Sequence, residues 1–448
     1  MSDASSSQVW SPSGWKDGQA FDPMSIAEAD AGEASSISAA RRFILPGVPN
    51  AHSHAFQRAM AGMAERLGDP DDSFWTWRER MYAFAALIEP DDLYAIASQL
   101  YLEMLEAGYT QVCEFQYLHH APDGSRYDDP AAMSRALLQA AADVGIGITL
   151  LPVLYQTGGF DARPLSARQR RFGCATDEYL GMLQGLREHL AANQRLGLCL
   201  HSLRAVPESA MREVLFGRET GMPVHIHIAE QIAEVEECQA VRGQRPVAWL
   251  LDHAEVDADW SLVHATHLDE LEVIRLARSG ATVALCPTTE ANLGDGLFPL
   301  SAYQSAGGTW SIGSDSHISV SPVEELRWLE YGQRLTQRRR NLASRPDRPS
   351  TGEALFAAAW SGGRRSCGLS DDFDSAGGDW LVLDHDAPPL VGAKADDVLD
   401  RWIFSGNRPL VREVWTQAQP RVISGRHIHR EAVEARFALH MNRLLQRM

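Results

Sequence analysis

The chain has 448 residues, 45% hydrophobic and 22% charged, ordinary for a globular protein and long enough for a large core plus a subsidiary module. Its formal net charge of −18 argues against a nucleic-acid or anionic-membrane partner, because both need a positive field. A small anionic substrate stays open, since local arginines can outvote the global charge. Residues 1–42 are polar with little periodicity, and are expected to form weak strands or to be partly disordered. From Phe43 an alternation sets in. Apolar, β-branched runs occur at 43–48, 109–115, 146–154, 196–200, 222–228, 261–265, 281–286 and 309–313. Helix-like stretches at 91–107, 130–144, 177–193, 207–220, 231–251 and 269–279 separate most of them, and Gly108, Gly145, Gly221 and Gly280 stand where a helix would close.

Eight strands alternating with helices predict an α/β fold, a (β/α)8 TIM-like barrel over residues 43–365. The rival, a doubly wound open sheet, wants a Gly-rich phosphate turn after an early strand, and none is present. Gly158-Gly159 and Gly362-Gly363 read as turns. Beyond residue 366 come Gly377-Gly-Asp-Trp-Leu-Val-Leu-Asp384, strand-like pieces around 401–404 and 411–415, and a terminal helix from about 430. Residues 1–42 and 366–448 are expected to form a small discontinuous module, a β-sandwich.

The six cysteines (Cys113, Cys174, Cys199, Cys238, Cys286 and Cys367) include no C-x-x-C pair and read as reduced, mostly buried thiols. No signal peptide is recognisable, and no apolar run approaches the roughly 20 residues that cross a bilayer. A soluble cytoplasmic protein is expected.

Chemistry in such a barrel sits at the C-terminal ends of the strands. Those ends read His52-Ser53-His54, Glu114-Phe115-Gln116-Tyr117, His201-Ser202-Leu203-Arg204, His225-Ile226-His227-Ile228-Ala229-Glu230, His264-Ala265-Thr266-His267 and Gly313-Ser314-Asp315-Ser316-His317. So many ionisable groups would cost several kcal/mol each if buried unpaired. Alternation along a strand turns His52 and His54 the same way. With one histidine of strand five and Asp315 they make a donor set suited to Zn²⁺, with Fe²⁺ as the alternative. His227 lies nearer the strand tip than His225, and Glu230 falls over the same mouth, which favours His227. Lys16 and Lys394 are the only lysines, so a carboxylated-lysine bridge between two metals is ruled out and one metal is expected. His119-His120 sits in a loop beyond strand two and is read as exposed or as lying behind the site, while His427-Ile-His429 lacks acidic strand ends nearby and is read as structural or surface.

The H-x-H of strand one, the H-x-x-E after strand five, the histidine of strand six and the Ser-Asp of strand eight resemble the amidohydrolase superfamily, in its mononuclear deaminase branch. Longer stretches are similar to its formimidoylglutamate deiminase family. These are Asn50-Ala-His-Ser-His-Ala-Phe-Gln-Arg-Ala-Met-Ala-Gly62, His201-Ser-Leu-Arg-Ala-Val-Pro207, His227-Ile-Ala-Glu-Gln231, Cys286-Pro-Thr-Thr-Glu-Ala-Asn-Leu-Gly-Asp-Gly296, Gly313-Ser-Asp-Ser-His317 and Leu329-Glu-Tyr-Gly-Gln-Arg-Leu335. The resemblance implies metal binding by His52, His54, His227 and Asp315, and acid/base roles for Glu230 and His264 beside Asp315. It further implies substrate contacts from Gln57, Arg78, Tyr117, His201 and Arg204, with the two arginines holding carboxylates. The implied reaction is hydrolytic deamination of N-formimino-L-glutamate in histidine degradation, in a homodimer. Two alternatives stand beside it: a deaminase of the same branch acting on a purine, pyrimidine or related amidine, and a non-catalytic binding barrel.

Overall fold

Gly47 divides the first apolar run into two strands that serve different sheets. The computed structural model describes residues 7–17, 43–65, 74–370 and 378–448. Of the segment expected to be weakly structured, residues 1–6 and 18–42 lie outside that range. β1 (Gln8–Ser11), β2 (Gly14–Asp17) and β3 (Phe43–Pro46) belong to one sheet, whereas β4 (Val48–Ser53) opens another. At the break the Gly47 N–H donates to Asp379 O and the Val48 N–H to Gly108 O, each at 3.0 Å. A Cβ on Gly47 would lie 2.0 Å from Thr110 Oγ1, so only glycine lets the chain change sheets here.

The second sheet continues through β5 (Tyr109–Gln116), β6 (Gly147–Leu154), the short β7 (Gln194–Leu196), β8 (Leu198–Ser202), β9 (Val224–Ile228), β10 (Trp260–His264), β11 (Thr282–Leu285) and β12 (Thr309–Ile312). All its pairings are parallel, and β7 lies off the main path on β6. The ring closes between β4 and the segment after β12: the Asp315 N–H donates to His52 O at 3.1 Å and the His54 N–H to Asp315 O at 3.2 Å. The result is a nearly closed eight-stranded parallel barrel with helices outside, as the alternation predicts. Its strands are apolar along nearly their whole length because both faces are covered, and a continuous core runs outward to the large aromatics Trp260, Trp310 and Trp360.

β13 (Trp380–Leu383), β14 (Val411–Thr416), β15 (Gln419–Ile423) and β16 (Arg426–His427) complete the first sheet, in the order β16-β15-β14-β13-β3-β1-β2. N- and C-terminal segments thus share one mixed sheet. Val9, Ile44, Trp380, Val382 and Trp415 bury one of its faces.

Three expected elements differ. The stretch 231–251 is two helices, Ile232–Arg242 and Pro246–His253, because Gly243 takes φ +73° and Pro246 starts a new helix. The piece around 401–404 belongs to the helix Val398–Phe404, where Arg401 Nε donates to Asp397 one turn earlier at 2.8 Å. Leu399, Trp402 and Ile403 bury one face of it. Gly362-Gly363 is no turn but the middle of the helix Thr351–Ser366, where small residues let the helix touch the barrel wall. No helix among the described residues is long and apolar enough to cross a membrane.

A Cβ on Gly362 would lie 2.2 Å from Trp310 O, and backbone on both sides leaves little room to yield. Gly362→Ala should therefore destabilise the protein by about 1–3 kcal/mol, the usual cost of overpacking, outweighing alanine's better helix propensity. Urea unfolding measures this, and an unchanged midpoint would show that the helix can shift outward freely.

Candidate active site

The barrel mouth gathers side chains from six strand ends. β4 carries one extra residue against β5 between Asn50 and Ser53, a bulge that re-aims its tip. His52 and His54 converge there, with their Nε2 atoms 3.1 Å apart. His227, at the end of β9, brings its Nε2 to 3.1 Å from that of His52 and 3.3 Å from that of His54. Asp315 Oδ1 lies 3.4 Å from both His52 Nε2 and His54 Nε2. All four residues are buried.

For His54 and His227 the tautomer follows from the outer nitrogens. His54 Nδ1 donates to Phe115 O at 2.9 Å and His227 Nδ1 to His201 O at 3.1 Å. Each neutral ring then points an Nε2 lone pair at the common centre. Burial keeps the rings neutral, lowering His54 and His227 and bringing His52 to about 3. Burial alone would raise Asp315, but the hydrogen bond with His52 and the nearby His54 and His264 hold it well below the usual carboxylate range. Converging lone pairs and a carboxylate repel one another unless a cation sits among them, so the donor set fits a metal ion. His52, His54 and His227 could hold one, with the backbone carbonyls behind two of the rings fixing their orientation.

Beside this cluster, His264 at the end of β10 places Nε2 3.8 Å from Glu230 Oε1 and 3.7 Å from Asp315 Oδ2. Its Nδ1 faces Glu290 Oε1 at 3.3 Å. Burial opposes charge on this imidazole, but Glu230, Glu290 and Asp315 outweigh it and push it up to about 10. Glu230 is itself raised to about 7 by burial, against the pull of His264. The backbone is strained around the group: Ala229, His264, Ala265, Asp315 and His317 all have left-handed φ values, from +41° to +68°. Non-glycine residues accept such conformations where surrounding structure forces them, commonly at functional sites.

Outward from these groups a cleft is lined by Gln57, Arg78, Tyr117, His201 and Arg204 together with His54, His227, Glu230, His264 and Asp315. The residues singled out in the sequence thus meet in one place, apart from His52, which lies behind the lining. Gln57 Nε2 donates to the Tyr117 hydroxyl at 3.2 Å, while Gln57 Oε1 and Arg204 Nε are buried without a partner. Arg78 lies 5.6 Å from the Tyr82 ring centre. Nearby Glu234 and Glu230 favour the Arg204 charge, raising it against burial.

Sequence reading missed the aromatic wall of Trp77, Tyr82, Tyr155 and Phe172, and the carboxylate of Glu290 behind His264. Glu290 had a signal, its place within the quoted Cys286–Gly296 stretch. The wall had none, since aromatics on such segments also serve as plain packing. The histidines set aside are structural: His225 Nε2 donates to Ser366 O at 2.8 Å, His427 Nε2 to Val144 O at 3.0 Å and His119 Nε2 to Val153 O at 2.8 Å. His119 and His427 are buried, not surface groups.

Residues 43–375 match the sequence signature of the Amidohydrolase family. The chain belongs to that family. This amidohydrolase is 51% identical over 405 residues to the formimidoylglutamate deiminase of Pseudomonas aeruginosa, covering 90% of this chain and 89% of the relative. It is 27% identical to a 5-methylthioadenosine/S-adenosylhomocysteine deaminase of Halobacterium salinarum, covering 84% and 80%. Among solved structures, an amidohydrolase from Brucella melitensis superposes with a TM-score of 0.89 at 41% identity, over 98% of this chain and 99% of that one.

If a cation belongs among the three imidazoles, zinc added to metal-free protein should raise its melting temperature. At free metal 100 times the dissociation constant the gain is about 2.7 kcal/mol. His227→Ala should remove most of that gain, as scanning calorimetry can show. A transition that zinc leaves in place would mean the lone pairs are satisfied some other way.

Proposed function

We propose that the protein hydrolyses N-formimino-L-glutamate to N-formyl-L-glutamate and ammonia, as a cytoplasmic step of histidine degradation. The observation that carries this reading is the pairing, across one cleft, of a metal-type donor cluster with two arginines, Arg78 and Arg204. A neutral nucleobase has no use for two cations, whereas the carboxylates of glutamate do, and guanidinium pairs with them bidentately. The strong likeness over nearly the full length to the Pseudomonas aeruginosa deiminase supports the same substrate.

His52, His54, His227 and Asp315 are the proposed ligands of one zinc or iron(II) ion, which when bound supplies Lewis-acid activation of water, lowering its pKa to about 7. Asp315 turns Oδ2 toward His264 Nε2 and away from the imidazole cluster, and that oxygen takes the proton of the attacking water. His264, held from behind by Glu290, orients the nucleophile with Nε2. Water oxygen adds to the formimino carbon, which becomes tetrahedral. Glu230, raised to about 7, still carries a proton near neutral pH and gives it to the terminal nitrogen. The hydroxyl proton passes to the Glu230 carboxylate and on to the same nitrogen, the C–N bond breaks, ammonia leaves as the formyl carbonyl forms, and the proton held by Asp315 returns Glu230 to its acid form. In sum, R–NH–CH=NH and H₂O give R–NH–CHO and NH₃. Gln57, Tyr117 and His201 line the same cleft as the arginines and orient the substrate amidine and carboxylates.

Metal-loaded protein incubated with N-formimino-L-glutamate should release one ammonia per turnover and no formamide. Formamide as main product, or no turnover, would overturn the assignment. Arg78→Met and Arg204→Gln should each lower kcat/KM by roughly 30- to 1,000-fold, the loss expected on truncating one partner of a buried charge pair at about 2–4 kcal/mol. Full activity in both would remove the dicarboxylate from the reading. Glu230→Gln keeps the shape but cannot donate a proton, and should lower kcat by about 10²–10⁴-fold with metal content unchanged.

A further inference from the structure

Ser53 ends β4 between His52 and His54, so its side chain points the opposite way, behind the metal-type cluster. Its hydroxyl donates to Glu114 Oε2 at 2.7 Å. The Tyr101 hydroxyl donates to the same oxygen at 3.1 Å. The other carboxylate oxygen, Oε1, accepts the Ala55 N–H at 2.6 Å. Ala55 begins the 3₁₀ turn Ala55–Met60, the turn that carries Gln57 into the cleft. Glu114 therefore holds the histidine-bearing strand tip and the start of the substrate-facing turn with one carboxylate.

On its other side Ser53 meets the β12 end. His317 Nε2 donates toward Ser53 Oγ at 3.4 Å, and His317 Nδ1 accepts from Ser314 Oγ at 3.0 Å. Ser314 Oγ accepts from Asn50 Nδ2 at 2.7 Å, and Asn50 Oδ1 accepts the Ser314 N–H at 3.1 Å and the His52 N–H at 3.3 Å. The donors run in one direction, Asn50 to Ser314 to His317 to Ser53, and the chain ends on the Glu114 carboxylate; Asn50 Nδ2 also meets Met104 Sδ at 3.8 Å. All five side chains are buried, and Glu114 does not line the cleft. A fully satisfied buried network of this kind fixes one arrangement of the elements it joins. Here those are β4, β5 and the segment after β12, which carry His52, His54 and Asp315.

We infer that Glu114 is a positioning residue: through Ser53 and the Ala55 N–H it sets His52 and His54 for the metal and Gln57 for the substrate. The inference rests on reading His52, His54, His227 and Asp315 as the ligands. Groups behind metal ligands typically govern affinity by 10–100-fold.

Glu114→Gln keeps the volume and the acceptor for Ala55, but puts an NH₂ where two hydroxyls converge. Zinc affinity, measured by competition with a chromophoric chelator and without substrate, should fall about tenfold. KM for N-formimino-L-glutamate should rise at saturating metal. Ser53→Ala deletes only one hydroxyl, serves should the glutamine variant fail to fold, and should weaken zinc binding in the same direction. The double variant should bind zinc no more weakly than Glu114→Gln alone, because both act through one chain. A melting temperature lowered equally with and without zinc, at zinc affinity within twofold of wild type, would overturn the inference and leave Glu114 a packing group. Since zinc competition involves no substrate, a wrong substrate would fail the turnover assay while leaving this result intact.

Discussion

Three imidazole nitrogens within 3.3 Å of one another, facing an acidic oxygen, are the constraint on which the rest of this protein turns. Neutral rings so placed repel through their lone pairs, and burial denies them water to relieve it. The fold accepts this arrangement because the same residues close the barrel. Asp315 N–H to His52 O and His54 N–H to Asp315 O are the seam between first and last barrel strands. The bulge in β4, the left-handed backbone at Asp315 and His317, and the Asn50–Ser314 bonds all lie on that seam. Strain there is offset by neighbours that have no second arrangement available. Closing the barrel and forming the metal-type cluster are one event.

From that seam the electrostatics spread unevenly. Around His264 lie Glu230, Glu290 and Asp315, and their combined field keeps this ring charged where burial neutralises His52, His54 and His227. Four buried histidines thus divide into three neutral rings and one charged ring by their neighbours alone. Along the same cleft Arg78 and Arg204 supply positive charge. A substrate with a basic amidine at one end and carboxylates at the other matches this polarity, whereas a uniformly anionic or apolar molecule would not.

Much of this was legible in the sequence, and the limits have physical causes. Strand-end position identified His52, His54, His227, His264 and Asp315 as neighbours because parallel barrel strands all deliver their tips to one mouth. Nearness to the strand tip also favoured His227 over His225, whose ring donates to Ser366 O instead. Periodicity reports burial but not partner, so the run from Phe43 gave no sign that Gly47 passes it from one sheet to another. Gly362-Gly363 looked like a turn because composition cannot distinguish a sharp bend from a helix pressed against backbone. Glu114 stood in plain view at the end of β5, yet its role depends on Ser53, 61 residues away, and on a 3₁₀ turn that no pattern announced.

The surroundings of Asp315 suit one cation better than two. Its Oδ1 faces His52 and His54, while Oδ2 faces His264 at 3.7 Å, with Glu230 just beyond. The side where a second ion would share that carboxylate holds a charged imidazole, which repels cations. A bridging lysine is absent, since none occurs between Lys16 and Lys394. The end of β8, where such a bridge would be sought, carries His201, whose ring meets Ser202 Oγ at 3.1 Å and whose carbonyl steers His227. Asp315 therefore divides its two oxygens between the imidazole cluster and His264, and the barrel mouth is built around that division.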